Sequence, residues 1–267
     1  MKGRVLIVAG SDSGGGAGIQ ADIKTVTALG GFAATAITAL TAQNTRGVFG
    51  VVGIAPAFIQ QQMRLVLDDI GADALKTGML HDAPVIAAVC EVLEDQAGEL
   101  PLVVDPVMVA QSGDPLLADD ALRSLKERLI PLATVLTPNQ PEAERLTGLT
   151  IDSVEAMGRA AEALLGLGAR AVLVKGGHMT GETVHDVLVS AAGTRVFESP
   201  RIATRHLHGT GCTLASAIAT GLAQGLALEP AVARARAYLQ AAIRGAPGLG
   251  QGNGPVDHGH TVKPFSD

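Results

Sequence analysis

No tryptophan and a single tyrosine, Tyr238, occur in the 267 residues, and aromatic side chains make up only 2% of the chain. That argues against a surface of stacking rings for single-stranded nucleic acid. An excess of positive charge is also lacking. Twenty Lys and Arg against 26 Asp and Glu leave a net charge of −6, the wrong sign for a phosphate-backbone partner. The two cysteines, Cys90 and Cys212, stand far apart and form no paired metal or redox motif, so a reduced, cytoplasmic setting is expected. No apolar run is long enough to span a bilayer, and Val5-Leu6-Ile7-Val8 reads as a short strand rather than a signal-peptide core. The 47% of apolar residues must therefore build a core from Ala, Val, Leu and Ile.

What is present is an alternation. Short apolar runs suited to buried parallel strands (5–9, 33–42, 74–80, 102–108, 135–137, 171–175) alternate with helical patterns near 19–25, 56–69, 83–93, 118–128, 152–167 and 230–244. A hairpin is expected over 184–199 with Ala192-Gly193 as its turn. No repeat or linker divides the chain, so the expectation is one α/β domain over 1–267, with the Gly- and His-rich tail from about 248 peripheral to it. His258-Gly259-His260 in that tail lacks the cysteines or acids that a metal site would need.

The chemistry sits where strands end. His208-Gly209-Thr210-Gly211-Cys212-Thr213 leads into an alanine-rich helical run, with Thr210 or Thr213 available near the cap. A glycine turn opening a helix points unpaired N–H groups and a positive dipole end at one spot, which suits a phosphate. The same field would favour the thiolate of Cys212. A plain core-helix turn is the alternative. Gly10 to Gly18 joins the first strand to a helix, as ligand loops do, without a P-loop ending. Gln43 offers an amide for the edge of an aminopyrimidine or pyridine, or serves as a turn amide. Met79 is either core or an adaptable wall against a flat ring. Asp105 ends a buried strand, as ligand-binding carboxylate or turn cap. Asn139 and Glu142 fall on one side of a helix start, fitting Mg²⁺ held through water, or Glu142 is a first-turn acid. Lys175 is a point charge for a nucleotide phosphate. Gly14 and Gly113 mark candidate flaps.

In this order the motifs resemble the ribokinase-like superfamily, and within it the hydroxymethylpyrimidine/phosphomethylpyrimidine kinases of thiamine synthesis. The resemblance rests on Gly10-Ser11-Asp12, Gly15 to Asp22, Ala42 to Thr45, Lys76 to Leu80, Asp105 to Met108, Ser112-Gly113, Thr137 to Ala143, Lys175 to His178 and His208 to Thr213, nearly the whole chain. It implies a three-layer α/β sandwich with a mostly parallel sheet, and ATP-dependent phosphorylation of hydroxymethylpyrimidine and of its monophosphate. It further implies that Gln43 reads the pyrimidine edge while Gly10, Ala17, Met79 and Val107 wall the ring, with Asp22 also in the substrate set. Asp105 and Glu142 would organise Mg²⁺, and Asn139, Lys175 and Thr210 would meet ATP. The amides from Gly209 through Thr210 and Gly211 to Cys212 would form an anion hole, and Cys212 would take the hydroxyl proton. A homodimer, and no nucleic-acid or membrane partner, are implied as well. A pyridoxal kinase on the same fold and a non-catalytic pyrimidine-binding protein are the rival readings. The chain departs from many relatives at Asp12-Ser13-Gly14, where a proline or second serine is common, and at Asp257, where asparagine is usual.

Overall fold

In a computed structural model that describes residues 2–109 and 120–263, every strand joins one nine-stranded sheet. In chain order the elements are β1 (Arg4–Asp12), α1 (Gly18–Ala28), β2 (Phe32–Asn44), β3 (Gly47–Gly53), α2 (Pro56–Asp69), β4 (Ala74–Thr77), α3 (Ala83–Gln96) and β5 (Leu102–Val104). After them come α4 (Ala121–Ser124), β6 (Val135–Leu136), α5 (Gln140–Thr147), α6 (Val154–Leu165), β7 (Ala171–Lys175), β8 (Thr183–Ser190), β9 (Gly193–Pro200), α7 (Thr210–Ala223) and α8 (Leu228–Arg244). The sheet order is β3-β2-β1-β4-β5-β6-β7-β8-β9. Strands from β2 to β7 pair in parallel, while β3, β8 and β9 are antiparallel additions at the two edges.

The apolar runs explain the three layers. Successive strand residues face opposite sides, so Leu6 and Val8 pack with α2, α3, α5 and α6, while Val5 and Ile7 pack with α1, α7 and α8. Helix α7 fits because its buried face is small: Ala215, Ala217 and Ala219 have no exposed surface, and a Cβ on Gly221 would meet Ala231 of α8 at 2.8 Å. Parallel pairing brings the carboxyl ends of β1, β4, β5, β6 and β7 to one edge of the sheet. There Gly78 N–H donates to Val8 O, Asp105 N–H to Thr77 O, and Thr137 N–H to Val104 O.

Several boundaries differ from expectation, each for a local reason. The strand expected over 74–80 stops at Thr77, where Gly78 and Met79 turn away. The helix expected over 118–128 is regular α only from Ala121 to Ser124. It widens into a π turn at Leu125–Leu129 and a 3₁₀ turn at Ile130–Leu132, which keeps Leu125, Leu129 and Ile130 buried. Helix α6 begins at Val154, capped by the Ser153 hydroxyl. Gly193 already pairs with Ser190 inside the hairpin, so Ala191 and Ala192 form the turn. The candidate flap at Gly14 is tied down: Asp12 accepts from the amides of Gly14, Gly16 and Ala17 at 2.7–3.0 Å, and Lys24 holds Gly15 O. Ser112 and Gly113 lie outside the described residues.

The tail is not peripheral. Pro255 bridges to His208, Gly254 O accepts from His208 N–H, and Asn253 N–H reaches Thr45 O at 2.7 Å. Val256 and His258 are buried, because glycines let this segment thread closely between α7, α8 and the first loop. Burial lowers the His258 ring to about 4, Lys24 adding to the fall. The folded state therefore refuses a proton that the unfolded chain accepts below its ordinary value near 6.5. The stability this provides is complete above pH 6.5 and is lost as pH falls toward 4. In urea titrations we expect wild type to lose about 2 kcal/mol more than His258→Gln between pH 8 and pH 5. A pH-independent difference would contradict this.

Candidate functional site

At the carboxyl edge of the sheet lies a cavity of about 310 Å³. Its base is electrostatic. Lys175, at the end of β7, meets Asp105, just beyond β5, at 2.9 Å. Both face Gly211, where a Cβ would stand 3.4 Å from Asp105 Oδ2 and from Lys175 Nζ. Glycine at 211 thus leaves the space in front of the ion pair open. Gly209, with φ +85°, is the N-cap of α7, and a side chain there would collide with Gly16 O. The cap is therefore this glycine and neither of the expected threonines: Thr213 turns its hydroxyl back to Gly209 O at 2.8 Å. As first-turn groups, the N–H of Gly211 and of Cys212 have no carbonyl one turn back within α7. They and the dipole end face the same cavity as Lys175.

Asn139 and Glu142 form a capping box at the start of α5: Asn139 Oδ1 accepts from Glu142 N–H at 2.9 Å, and Glu142 Oε2 accepts from Asn139 N–H at 2.8 Å. Glu142 is thus a first-turn acid and a cavity wall at once. Burial pushes its carboxyl up to about 7, with Lys175 opposing and Asp105 adding to the rise. Lys175 keeps its proton, because Asp105 and Glu142 outweigh its own burial.

On one side of this base the cavity continues past Gly10, Ala17, Gln43, Met79 and Val107. The expected ring-binding residues are thus brought together, with one exception. Asp22 does not line the cavity. It is wholly buried on α1, paired with Lys76 at 2.9 Å and accepting from Ser216 of α7 at 2.6 Å. As a helix residue facing the sheet it belongs to the floor beneath the site. Sequence reading also missed Asp12. Burial opposes its ionisation, but bonds from His208 at 2.8 Å, from Ala17 N–H and from Gln43 hold it down at about 2. The cue was local: a carboxylate followed by three glycines with free amides.

On the other side the cavity runs along β8, β9 and α8, past His178, Val184, Ile202, Leu239 and Ile243. Here Asp186 takes Gly176 N–H at 2.9 Å and Arg236 Nε at 2.7 Å, while Arg201 binds the carbonyls of Gly177, Met179 and Gly181. In this half only Gly176, Gly177 and His178 belong to a motif read from the sequence.

The Cys212 thiol is a correction. Burial pushes it up to about 12, with Lys76 opposing and the Asp22 and Asp105 carboxylates adding to the rise. The thiolate expected from the helix field does not prevail, because the surroundings of the sulfur remove more solvation than the positive groups return. Among the described residues no group of three or more His, Cys, Asp or Glu is placed to hold a metal ion.

Residues 12–257 match the phosphomethylpyrimidine kinase family. The chain is 55% identical over 257 residues to the thiamine biosynthesis bifunctional protein ThiED of Geobacter sulfurreducens, covering 96% of itself and 52% of that protein, so it spans about half that relative's length. It is 50% identical to the hydroxymethylpyrimidine/phosphomethylpyrimidine kinase of Streptomyces coelicolor, covering 96% of itself and 94% of the relative. Among solved structures it resembles the phosphomethylpyrimidine kinase of Clostridium difficile 630 (43% identity, TM-score 0.80, 90% and 98% coverage). It also resembles an ADP complex of Bacillus subtilis pyridoxal kinase (36% identity, TM-score 0.89, 97% and 98% coverage).

The protonated thiol makes a direct test. Alkylation of Cys212 by iodoacetamide, read by peptide mass spectrometry, is expected to climb with pH through pH 9 without levelling. A plateau near pH 7 would show a resting thiolate instead.

Proposed function

Because the chain belongs to the phosphomethylpyrimidine kinase family, we propose that this cavity transfers the γ-phosphoryl group of ATP to the hydroxyl of hydroxymethylpyrimidine, and then to the phosphate of the product. One observation carries the reading: a single cavity is lined by the α7 N-terminus and the Asp105–Lys175 pair, by Gly10, Ala17, Gln43, Met79 and Val107, and by residues of β8 and α8. That is a site for two ligands that exchange a phosphoryl group between them.

The pyrimidine ring lies in the half walled by Gly10, Ala17, Met79 and Val107. Gln43 lines this half, where its side-chain amide supplies both a donor and an acceptor for the edge of an aminopyrimidine. ATP takes the other half, its base against Val184, Ile202, Leu239 and Ile243, with Asn139, Lys175 and Thr210 at the phosphates. The Gly209 to Cys212 turn then stabilises charge on the transferring group. Catalysis of this kind is mainly positioning and electrostatics.

The donor set fits Mg²⁺. Asp105 and Glu142 are hard oxygen ligands sharing one ammonium, and the upward push on buried Glu142 marks a carboxyl short of positive charge. With water and phosphate oxygens completing its shell, the ion supplies neutralisation of phosphate charge. Two further readings follow the family. The β2–β3 pair exposes Leu40, Phe49 and Val52, which supports a homodimer. Cys90 and Cys212 are free thiols, in keeping with a reducing, cytoplasmic location.

Steady-state assays with ATP and Mg²⁺ on hydroxymethylpyrimidine, its monophosphate and pyridoxal test the reading. We expect both pyrimidines to turn over well above pyridoxal. Lys175→Ala is expected to lower kcat by about 10²–10³, and Cys212→Ala by no more than about tenfold, since a protonated thiol supplies little base assistance. Dominant pyridoxal turnover would reassign the ring half, and no turnover on any of the three would remove the kinase reading.

A further inference from the structure

The tail reaches the anion-binding turn through two side chains. Thr213, in the first turn of α7, has its hydroxyl 2.8 Å from Gly209 O and 3.0 Å from His258 Nε2. A hydroxyl has one hydrogen. Given to Gly209, it leaves the Thr213 oxygen as acceptor, so His258 donates from Nε2–H. Burial, with Lys24 of α1, His208 and His260 adding to it, keeps the ring neutral, while Asp257 pulls the other way. The ring is held from behind: Tyr238 of α8 donates to His258 O at 2.6 Å, and Asp257 N–H donates to Ala242 O at 2.9 Å. Thr213, His258 and Tyr238 are all buried. The carbonyl at the end of this chain of contacts is that of Gly209, the residue whose left-handed conformation starts α7, and it takes both the N–H and the hydroxyl of Thr213. Fixing that carbonyl fixes the plane of the 209–210 peptide, and with it the direction of the amides that follow.

We propose that His258 is a positioning residue for phosphoryl transfer: through Thr213 it locks the Gly209 peptide and keeps the Gly211 and Cys212 N–H groups aimed at the transferring group. The inference rests on reading the cavity as a kinase site. It assigns a role to a tail histidine that touches neither ligand, and it makes a prediction that differs from simple stabilisation. Misaimed donors weaken transition-state binding and leave ground-state binding of ATP and pyrimidine intact.

The test compares His258→Leu, His258→Gln, Thr213→Val and the Leu/Val double variant, each checked for folding by urea titration. We expect His258→Leu and Thr213→Val each to lower kcat about tenfold or more, with KM for ATP and hydroxymethylpyrimidine within about twofold of wild type. The double variant should lose no more than either single one, since both break one chain of contacts. His258→Gln, which keeps an N–H donor near the Nε2 position, should recover most of kcat. Affinity for ADP with aluminium fluoride should fall in step with kcat while affinity for ADP alone holds. An unchanged kcat, a loss confined to KM, additive losses, or a Gln variant as poor as Leu would each overturn the proposal. If His258→Leu does not fold, the contrast of Thr213→Val with His258→Gln decides in the same way. Absence of wild-type turnover would overturn the kinase reading, and this inference with it.

Discussion

Beneath the cavity, out of reach of water, Lys76 of β4 and Asp22 of α1 meet at 2.9 Å. Each charge loses several kcal/mol of hydration in such a place, and Coulomb attraction offsets the loss only when the remaining lone pairs are also satisfied. Ser216 supplies that bond from α7. Three elements from distant parts of the chain are thereby held in one arrangement: a strand of the sheet, the helix after the first loop, and the helix whose N-terminus lines the cavity. A slide of α7 would leave the ion pair in place and cost Asp22 its bond from Ser216, about 1.5–3 kcal/mol for a hydrogen bond to a charged group. That bond ties α7 to the layer below it.

The same pair bears on the chemistry. Lys76 draws the Cys212 thiol down, Asp22 and Asp105 push it up, and burial decides the sum upward. A thiol protonated at rest cannot accept the hydroxyl proton, yet the proposed reactions can proceed without it. A loose phosphoryl-transfer transition state asks little of a base, since the hydroxyl proton becomes acidic only as the new P–O bond forms. In the second step the nucleophile is a phosphate oxygen, largely ionised near neutrality, which needs no base at all. A standing thiolate at Cys212 would repel it. The high resting value thus reconciles one residue with two nucleophiles of different charge.

Much of this was legible in the sequence because it rests on local patterns. Val5-Leu6-Ile7-Val8 must be covered on both faces, which demands helices above and below, and Asp105, Asn139 and Lys175 are marked by the abrupt ends of buried runs. What was illegible rests on long-range pairing or on competing fields. Asp22 lies in a motif that suggests substrate contact, but its partner is 54 residues away and only the packed sheet shows which way it points. Cys212 sits in a field that favours the thiolate and in a packing that opposes it, and sequence shows only the first. The tail is rich in glycine and so reads as loose. The same glycines let it pass close to Thr45 and His206, where side chains would clash.

The placement of the two halves of the cavity also follows from the sheet. Gln43 belongs to β2 and Met79 follows β4, whereas Asp105, Asn139 and Lys175 follow or end β5, β6 and β7. The ring half is thus built on one flank and the phosphate base in the middle, with the β8–β9 hairpin and α8 enclosing the far flank. Among the described residues, Gly10 and Gln43, proposed for the ring, lie on β1 and β2, apart from Asp105, Asn139 and Lys175 at the ends of β5, β6 and β7. Changing the ring that is recognised requires new side chains on β2 and after β4, and leaves the ion pair, the capping box and the glycine turn as they are. Changing the proposed phosphate machinery has less freedom, because Gly209 admits no Cβ and Lys175 and Asp105 hold each other. A fold arranged this way can exchange one aromatic vitamin precursor for another while its transfer chemistry stays fixed.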